Sequence, residues 1–267
     1  MIAAARRNRI KELLLEEKSV RVTDLAESFK VSEETIRRDL SALEQEGVVK
    51  KNYGGAVLLE AAQEAMVAVP PVQQRKLYLF EEKDAIGAAA ASMVSDGDVI
   101  ILDAGSTTWC IARHLADKQI TIVTNGITVA EECSHVDDPS VLLIGGKLLK
   151  KSMSLVGPQA EREIQRYNAD YVFVGTSGIS IQKGFTSTDI YEAEIKRAMI
   201  STGKRAVIVA DHSKFDRQGL VSFSSLGSVY ALITSDLADS EVLDEIRRQG
   251  VKVITVPVED FIVSKVQ

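Results

Sequence analysis

The chain has little from which to build a covalent or metal framework. Its two cysteines, Cys110 and Cys133, are too few and too unpatterned for a disulfide scaffold or a zinc site, and both are expected as reduced packing residues. Three histidines show no metal-ligand spacing. His114 is expected on a helix face, His135 in a loop and His212 beside a ligand, with neither metal nor cofactor. No apolar run approaches the ~18 residues of a membrane helix, and no charged-then-apolar signal opens the chain. A cytoplasmic protein with no membrane partner is the expectation. A close internal repeat and a low-complexity tract are also lacking. With 45% hydrophobic and 26% charged residues among 267, the chain can bury one small and one larger core.

What is present starts with VSEETIRRDL, residues 31–40. Ser32 is a good N-cap, Glu33 and Glu34 favour the positive end of a helix, and Gly47 reads as its stop, which frames a helix over 33–46. Ile36, Leu40 and Leu43 form a buried stripe, leaving Thr35, Arg37, Arg38 and Ser41 on more exposed faces. Arginine forks match phosphate oxygens and the O6/N7 edge of guanine, and a threonine can meet a base edge or the backbone. The alternative is a solvated charged helix, because Glu33, Glu34, Asp39, Glu44 and Glu46 share it.

The flanks favour the first reading. Residues 9–17 read as a helix with Ile10, Leu13 and Leu14 inward, and Thr23 reads as the cap of a short helix over 24–29 that buries Leu25, Ala26 and Phe29. The tight Lys30-Val31 junction makes a helix-turn-helix. Residues 48–58 read as a small hairpin, the wing of a winged helix, with Lys50 and Lys51 near phosphates. Up to residue 59 the net charge is +1 and the remainder carries −7, so the acidity lies outside the head. A head of +1 binds DNA through the arrangement of its charges and through two heads acting together.

Pro70-Pro71 cannot continue a helix, which places a hinge in residues 60–74. Ala85, Ile86, Ala89, Ala90 and Met93 then recur with helical spacing, and Asp96-Gly97-Asp98 turns into the apolar strand 99–102. Further strands are expected at 120–123, 141–144, 171–174, 206–209, 231–234 and 251–256, with helices at 108–116, 128–134, 159–167, 190–201 and 240–249. The alternation predicts a doubly wound, mostly parallel sheet, whose ligands bind at the carboxyl ends of the strands. Those ends are polar. Asp103-Ala104-Gly105-Ser106-Thr107-Thr108 opens a helix whose free N–H groups and hydroxyls suit an anion; a plain strand-to-helix cap is the alternative. Thr124-Asn125-Gly126, Gly145-Gly146-Lys147, Gly175-Thr176-Ser177-Gly178 and Asp211-His212-Ser213-Lys214 complete an edge suited to a polyol bearing a phosphate.

TDLAESFKVSEETIRRDLSALEQEGVV followed by YGGA resembles the DNA-binding head of the DeoR family of bacterial transcriptional regulators. LDAGSTT, TNG, IGGKL, VFVG with Gly178, GFTSTDIYEAEIKRAM and ADHSKF resemble that family's effector domain, which is similar in fold to ribose-5-phosphate isomerase and glucosamine-6-phosphate deaminase. The wing departs from the family, with Lys51, Asn52 and Tyr53 where arginine and histidine usually precede GGA. The resemblance implies that Gly105, Ser106, Thr107 and Thr108 hold a phosphate, that Asp103 and Asn125 meet sugar hydroxyls, that Gly178 belongs to the effector site, and that Lys214 neutralises ligand charge. Glu192, Glu194 and Lys196 are weaker candidates, since Glu192 and Lys196 at i, i+4 also suit a surface ion pair.

The expected architecture is α/β: a winged helix-turn-helix over residues 1–59, a linker over 60–74, and an effector-sensing and oligomerisation domain over 75–267. The expected function is a repressor of a sugar uptake or breakdown operon, with no catalytic residues. Its partners would be double-stranded operator DNA, a phosphorylated sugar and further copies of itself in a dimer or tetramer. The runner-up is a sugar-phosphate isomerase or deaminase with a DNA-binding head, in which Asp103, Glu194 and Lys214 would act on a proton beside a carbonyl. A ligand-free scaffold is disfavoured by the polar strand ends.

Overall fold

A computed structural model describes residues 6, 7, 9, 10, 13, 14, 17–45, 49–59, 70–135 and 139–258, and its contacts divide at Pro70–Pro71 into two compact units. Glu46, Gly47 and Val48, parts of the expected first helix, and residues 60–69 of the expected linker lie outside the described residues.

In the first unit, the described residues between 6 and 17 are helical, with Ile10 and Leu14 fully buried. Strand β1 (Ser19–Arg21) leads into helix α1 (Val22–Phe29), followed by α2 (Glu33–Gln45), β2 (Val49–Asn52) and β3 (Gly55–Leu58). The strands form an antiparallel sheet in the order β1-β3-β2. Strand β1 has too few residues for a periodic signal, and only Val20 points inward. It also displaces the expected cap: α1 begins at Val22, whose N–H is taken by the Gly54 carbonyl (2.9 Å), and the Thr23 hydroxyl bonds the Asp24 side chain instead. Between α1 and α2 the chain reverses through Lys30, held at φ 53°, while the Val31 N–H reaches back to the Ala26 carbonyl (3.1 Å). Ile36, Leu40 and Leu43 are buried in the small core as the stripe requires. Asp39, read with the solvated charges, is instead 3% exposed, because Arg6 (2.5 Å) and Arg7 (3.8 Å) pair with it from the preceding helix.

The second unit comprises α3 (Val72–Leu77), α4 (Phe80–Ala91), β4 (Val99–Leu102), α5 (Ser106–Arg113), β5 (Thr121–Thr124), α6 (Ile127–Cys133), β6 (Ser140–Leu143), β7 (Lys147–Leu149), β8 (Ser154–Val156), α7 (Pro158–Ile164), β9 (Ala169–Gly175), β10 (Gly178–Ser180), β11 (Gly184–Ser187), α8 (Ile190–Thr202), β12 (Gly203–Val209), β13 (Val221–Ser224), β14 (Ala231–Ser235), α9 (Ser240–Arg248) and β15 (Lys252–Val256). Residues 72–74, read with the linker, belong to α3. Seven strands form one sheet in the order β15-β14-β12-β9-β4-β5-β6, with every pairing parallel. Successive residues alternate between two cores. Ile101, Val123, Val172, Val174, Ile208 and Leu232 face one side, and Ile100, Leu102, Ile122, Phe173, Val207 and Ile233 the other. Burial on both faces is why these strands read as unbroken apolar runs.

Five further short strands were not expected: the hairpin β7–β8 and the antiparallel sheet β10-β11-β13. At three or four residues each, they are too short for a sequence pattern to show. Helices α4 and α5 touch closely at Gly87, where a Cβ would lie 2.7 Å from the Cys110 carbonyl carbon. Glycine there sets how near α5, whose first turn forms the candidate cradle, can lie to α4. Both cysteines are free and buried, and burial pushes each thiol up to about 12. Among the described residues no helix is long and apolar enough to cross a membrane.

Candidate functional site

The sheet order reverses between β4 and β9, neighbours whose chains continue to opposite sides, and a crevice opens beyond the carboxyl ends at such a point. Asp103 stands there, 2% exposed. Its Oδ2 accepts the Gly175 N–H (3.1 Å) and a short hydrogen bond from the Lys196 ammonium, which also donates to the Gly175 carbonyl (3.0 Å). Oδ1 makes no hydrogen bond among the described residues. Burial pushes the Asp103 carboxyl above the ordinary carboxylate value, against the pull of Lys196. Lys196 is therefore not the surface partner of Glu192. It is 5% exposed and reaches inward from α8, while the Glu192 carboxylate accepts the Ser187 hydroxyl (3.3 Å). Glu194 pairs with Arg197 on the exposed side of the same helix, away from Asp103.

The neighbouring loop is locked to Asp103 through its backbone. The Ala104 N–H donates to Asn125 Oδ1 (2.9 Å), and Asn125 Nδ2 donates to the Leu155 carbonyl (3.2 Å), so this 1% exposed amide ties β4 to β5 and to the β7–β8 hairpin. At the start of α5, the Thr108 hydroxyl turns back to the Asp103 carbonyl (2.5 Å) and the Gly105 carbonyl (3.2 Å). Ser106 and Thr107 use neither hydroxyl nor backbone N–H in a hydrogen bond among the described residues. The cradle thus offers donors chiefly from Ser106 and Thr107, with Gly105 at the cap position. Gly178 has a different reason to be glycine: a Cβ there would meet the Arg217 carbonyl oxygen at 2.4 Å.

Beyond β12, Asp211 is fully buried. Burial alone would raise its carboxyl, but the Lys214 and Lys83 ammonium groups (3.9 and 3.7 Å) and the Ser213 hydrogen bond hold it at about 2. Lys214, the expected ligand cation, is anchored here. Lys83 belongs to a run absent from the sequence-based site: Glu82, Lys83 and Asp84 are consecutive on α4 and all buried. Glu82 accepts the His212 N–H (2.6 Å), His212 Nδ1 (2.8 Å) and the Ser235 hydroxyl (2.6 Å). Lys83 donates to the Arg75 (2.9 Å) and Tyr78 (2.5 Å) carbonyls. Asp84 holds His114 (3.0 Å), which closes the end of α5. Charges next to apolar residues gave no sign of this in the sequence, because an EKD run also suits a solvated helix face.

In the first unit, the Ser32 hydroxyl accepts the Thr35 N–H (3.3 Å) and shares a hydrogen bond with the Thr35 hydroxyl (2.9 Å). Arg37 and Arg38 are both exposed, but Arg37 pairs with Glu33 (2.7 Å) while Arg38 has no partner among the described residues. Lys51 leans onto α2, donating to Ser41 (3.0 Å) and pairing with Glu44 (3.2 Å), so the wing and the helix form one polar surface. Lys50 is exposed beside it.

A winged helix-turn-helix, joined in one chain to a parallel α/β unit with polar groups gathered at its switch point, defines a two-domain DNA-binding regulator. Residues 6–62 match the DeoR-like helix-turn-helix domain and residues 80–236 the DeoR C terminal sensor domain. The chain belongs to the DeoR family of transcriptional regulators. It is 35% identical to the uncharacterized HTH-type transcriptional regulator YulB of Bacillus subtilis, over 96% of this chain and 98% of that one. It is 31% identical to the glycerol-3-phosphate regulon repressor of Escherichia coli, over 86% and 89% respectively. Among solved structures, ribose 5-phosphate isomerase A from Neisseria gonorrhoeae overlaps 52% of this chain and 54% of its own, at 18% identity and a TM-score of 0.38. An overlap this partial says nothing of activity.

The held-down Asp211 carboxyl predicts an acid-labile sensor unit. Its folded value of about 2 lies below the ordinary 3.8, so its contribution is present above pH 4 and disappears as pH falls through 2. That contribution is about 2 kcal/mol. Urea unfolding between pH 5 and 2 should show Asp211→Asn less stable than wild type at pH 5, with the difference shrinking toward pH 2. A constant difference would show that the carboxylate charge is not what stabilises the fold.

Proposed function

We propose that the protein is a repressor of an operon for sugar uptake or breakdown, released from its operator when a phosphorylated sugar occupies the carboxyl edge of the sheet. The carrying observation is the start of α5, where unengaged donors of Ser106 and Thr107 stand beside the Asp103–Lys196 pair at the switch point. Helix-start donors favour an anion, and the Asp103 Oδ1 is an acceptor for a sugar hydroxyl. Among the relatives, the glycerol-3-phosphate regulon repressor supports a phosphorylated ligand. In this reading the protein is not an enzyme and acts in the cytoplasm. Residues 1–59 read DNA and residues 75–267 sense the ligand, as expected, with α3 (residues 72–77) counted in the sensing part rather than in the 60–74 linker, and Gly105, Thr108, Asn125 and Gly178 shape the site more than they touch the ligand.

The assembly we propose is a homo-oligomer of sensor domains. Leu142 and Leu143 on the edge strand β6, and Leu148 on β7, are 41–45% exposed, an apolar strand edge of the kind that proteins cover. Two heads on half-sites would offset a head charge of only +1. Light scattering of the full chain should give a dimer or tetramer, and Leu142→Lys with Leu143→Lys should dissociate it. An unaltered assembly in that variant places the interface elsewhere.

On duplexes selected from a random pool, Arg38→Ala should lose more affinity than Arg37→Ala, because Arg37 is already committed to Glu33. If Arg38 reads guanine, discrimination drops by ~1–3 kcal/mol; if it meets phosphate, the salt slope falls by about one unit. Wild-type binding by both variants would remove α2 from the interface.

A ligand can release DNA only through unequal affinity for two states, and operator DNA must then weaken ligand binding by the same factor. Lys214→Ala should raise the concentration of glycerol 3-phosphate or glucose 6-phosphate needed to release the duplex, and the unphosphorylated polyols should fail in both proteins. Equal release curves for the two proteins would make Lys214 a structural partner of Asp211 only.

A further inference from the structure

Among the described residues, one cation near the switch point has no answering group. Arg75, on α3, carries a buried Nε without a hydrogen-bond partner, and its guanidinium forms no ion pair among the described residues. Burial pushes it below its ordinary value, while Glu192, Asp103 and Asp211 pull the other way. Those carboxylates already have partners of their own: Lys196 on Asp103, Lys83 and Lys214 on Asp211, and the Ser187 hydroxyl on Glu192. A buried donor left unpaired is costly, and an acceptor arriving with a ligand would recover that cost. A guanidinium is also the side chain best shaped to grip a phosphate with two parallel hydrogen bonds.

The helix bearing Arg75 is tied into the site at several points. The Val72 N–H donates to the Lys151 carbonyl (2.8 Å) at the tip of the β7–β8 hairpin. The Arg75 carbonyl accepts Lys83, the same ammonium that faces Asp211. Lys76 lies 4.1 Å from the centre of the Trp109 ring, and Trp109 is in the first turns of α5. Helix α3 is also the first element after Pro70–Pro71, on the covalent path from the DNA-reading unit.

We propose that Arg75 grips the phosphate of the effector together with the Ser106–Thr107 turn, and that α3 transmits occupancy of the site to the chain leading to the DNA-reading unit. This rests on the sensor reading above, and it adds the residue that joins recognition to release. Because no carboxylate satisfies Arg75 beforehand, the incoming phosphate has a donor waiting whose position is set by α3 rather than by the sheet. Drawing that guanidinium toward the α5 turn moves the helix and the chain before it.

The single tryptophan, Trp109, supplies the readout. The full chain is titrated with inorganic phosphate, glycerol 3-phosphate and glucose 6-phosphate, following Trp109 fluorescence and calorimetric heat, as wild type, Arg75→Gln and Arg75→Lys. Wild type should give a saturable response to at least one phosphate compound. Arg75→Gln should need about tenfold more or beyond, and Arg75→Lys should fall between them, because lysine keeps the charge and loses the fork. At concentrations that saturate each protein, wild type should leave its selected duplex while Arg75→Gln stays bound. Equal half-saturation in wild type and a folded Arg75→Gln overturns the contact. Equal release at saturation overturns the transmission. If Arg75→Gln fails to fold by circular dichroism, unchanged binding by Arg75→Lys overturns the contact instead. No response of wild type by either method overturns the sensor reading and this inference with it.

Discussion

Three consecutive charges on one helix hold the working end of the sensor unit together. Glu82, Lys83 and Asp84 are each almost fully buried, and a buried charge is tolerated only when partners replace the water it has lost. Here each partner lies on a different element. Glu82 gathers the β12 and β14 ends through His212 and Ser235, Lys83 gathers α3 and Asp211, and Asp84 takes His114 at the end of α5. Removing one charge would strand the others, so the ends of strands far apart in sequence are held in one arrangement.

That arrangement leaves a selective surplus. Asp103 and Asp211 are matched by lysines, and Asn125 is used at both ends of its amide. Among the described residues, the groups left unengaged near the switch point include the Ser106 and Thr107 donors at the start of α5, one oxygen of Asp103 and the Arg75 guanidinium. A site with donors and a cation to spare favours an anion over a neutral polyol, and a rigid surround makes that preference sharp. The DNA-reading unit follows the same logic on a smaller scale. Asp39 is buried to pin two helices through Arg6, and Lys51 is committed to Glu44 and Ser41, which leaves Arg38 with the greatest freedom to meet a nucleic acid.

Much of the fold was legible along the chain. The inner strands β14, β12, β9, β4 and β5 appear as apolar runs because both faces of a parallel sheet are buried there, and the helices between them follow from period and caps. The stripe of Ile36, Leu40 and Leu43 locates α2 for the same reason. The short strands β1, β7, β8, β10, β11 and β13 were not legible, since three or four residues cannot establish a period, and β1 and β13 are ordered by pairing with partners far along the chain.

The candidate site divides in the same way. Local sequence determined that Asp103, Ser106, Thr107, Asn125, Asp211 and Lys214 would gather at one edge, because a strand-to-loop step in a parallel sheet always delivers its next residues there. It could not show what each side chain would do. Lys196 reads as half of a surface pair with Glu192 four residues away, yet it crosses inward to an aspartate 93 positions earlier. Arg75 falls at the start of the sensing domain with nothing local to mark it, and no periodic pattern tells the run Glu82, Lys83 and Asp84 from a solvated face. Periodicity reports which residues share a side of one element, a matter of a few neighbouring residues. Which charge neutralises which, and which cation is left over, depends on distances between elements and on the exclusion of water, and these exist only once the chain has closed on itself.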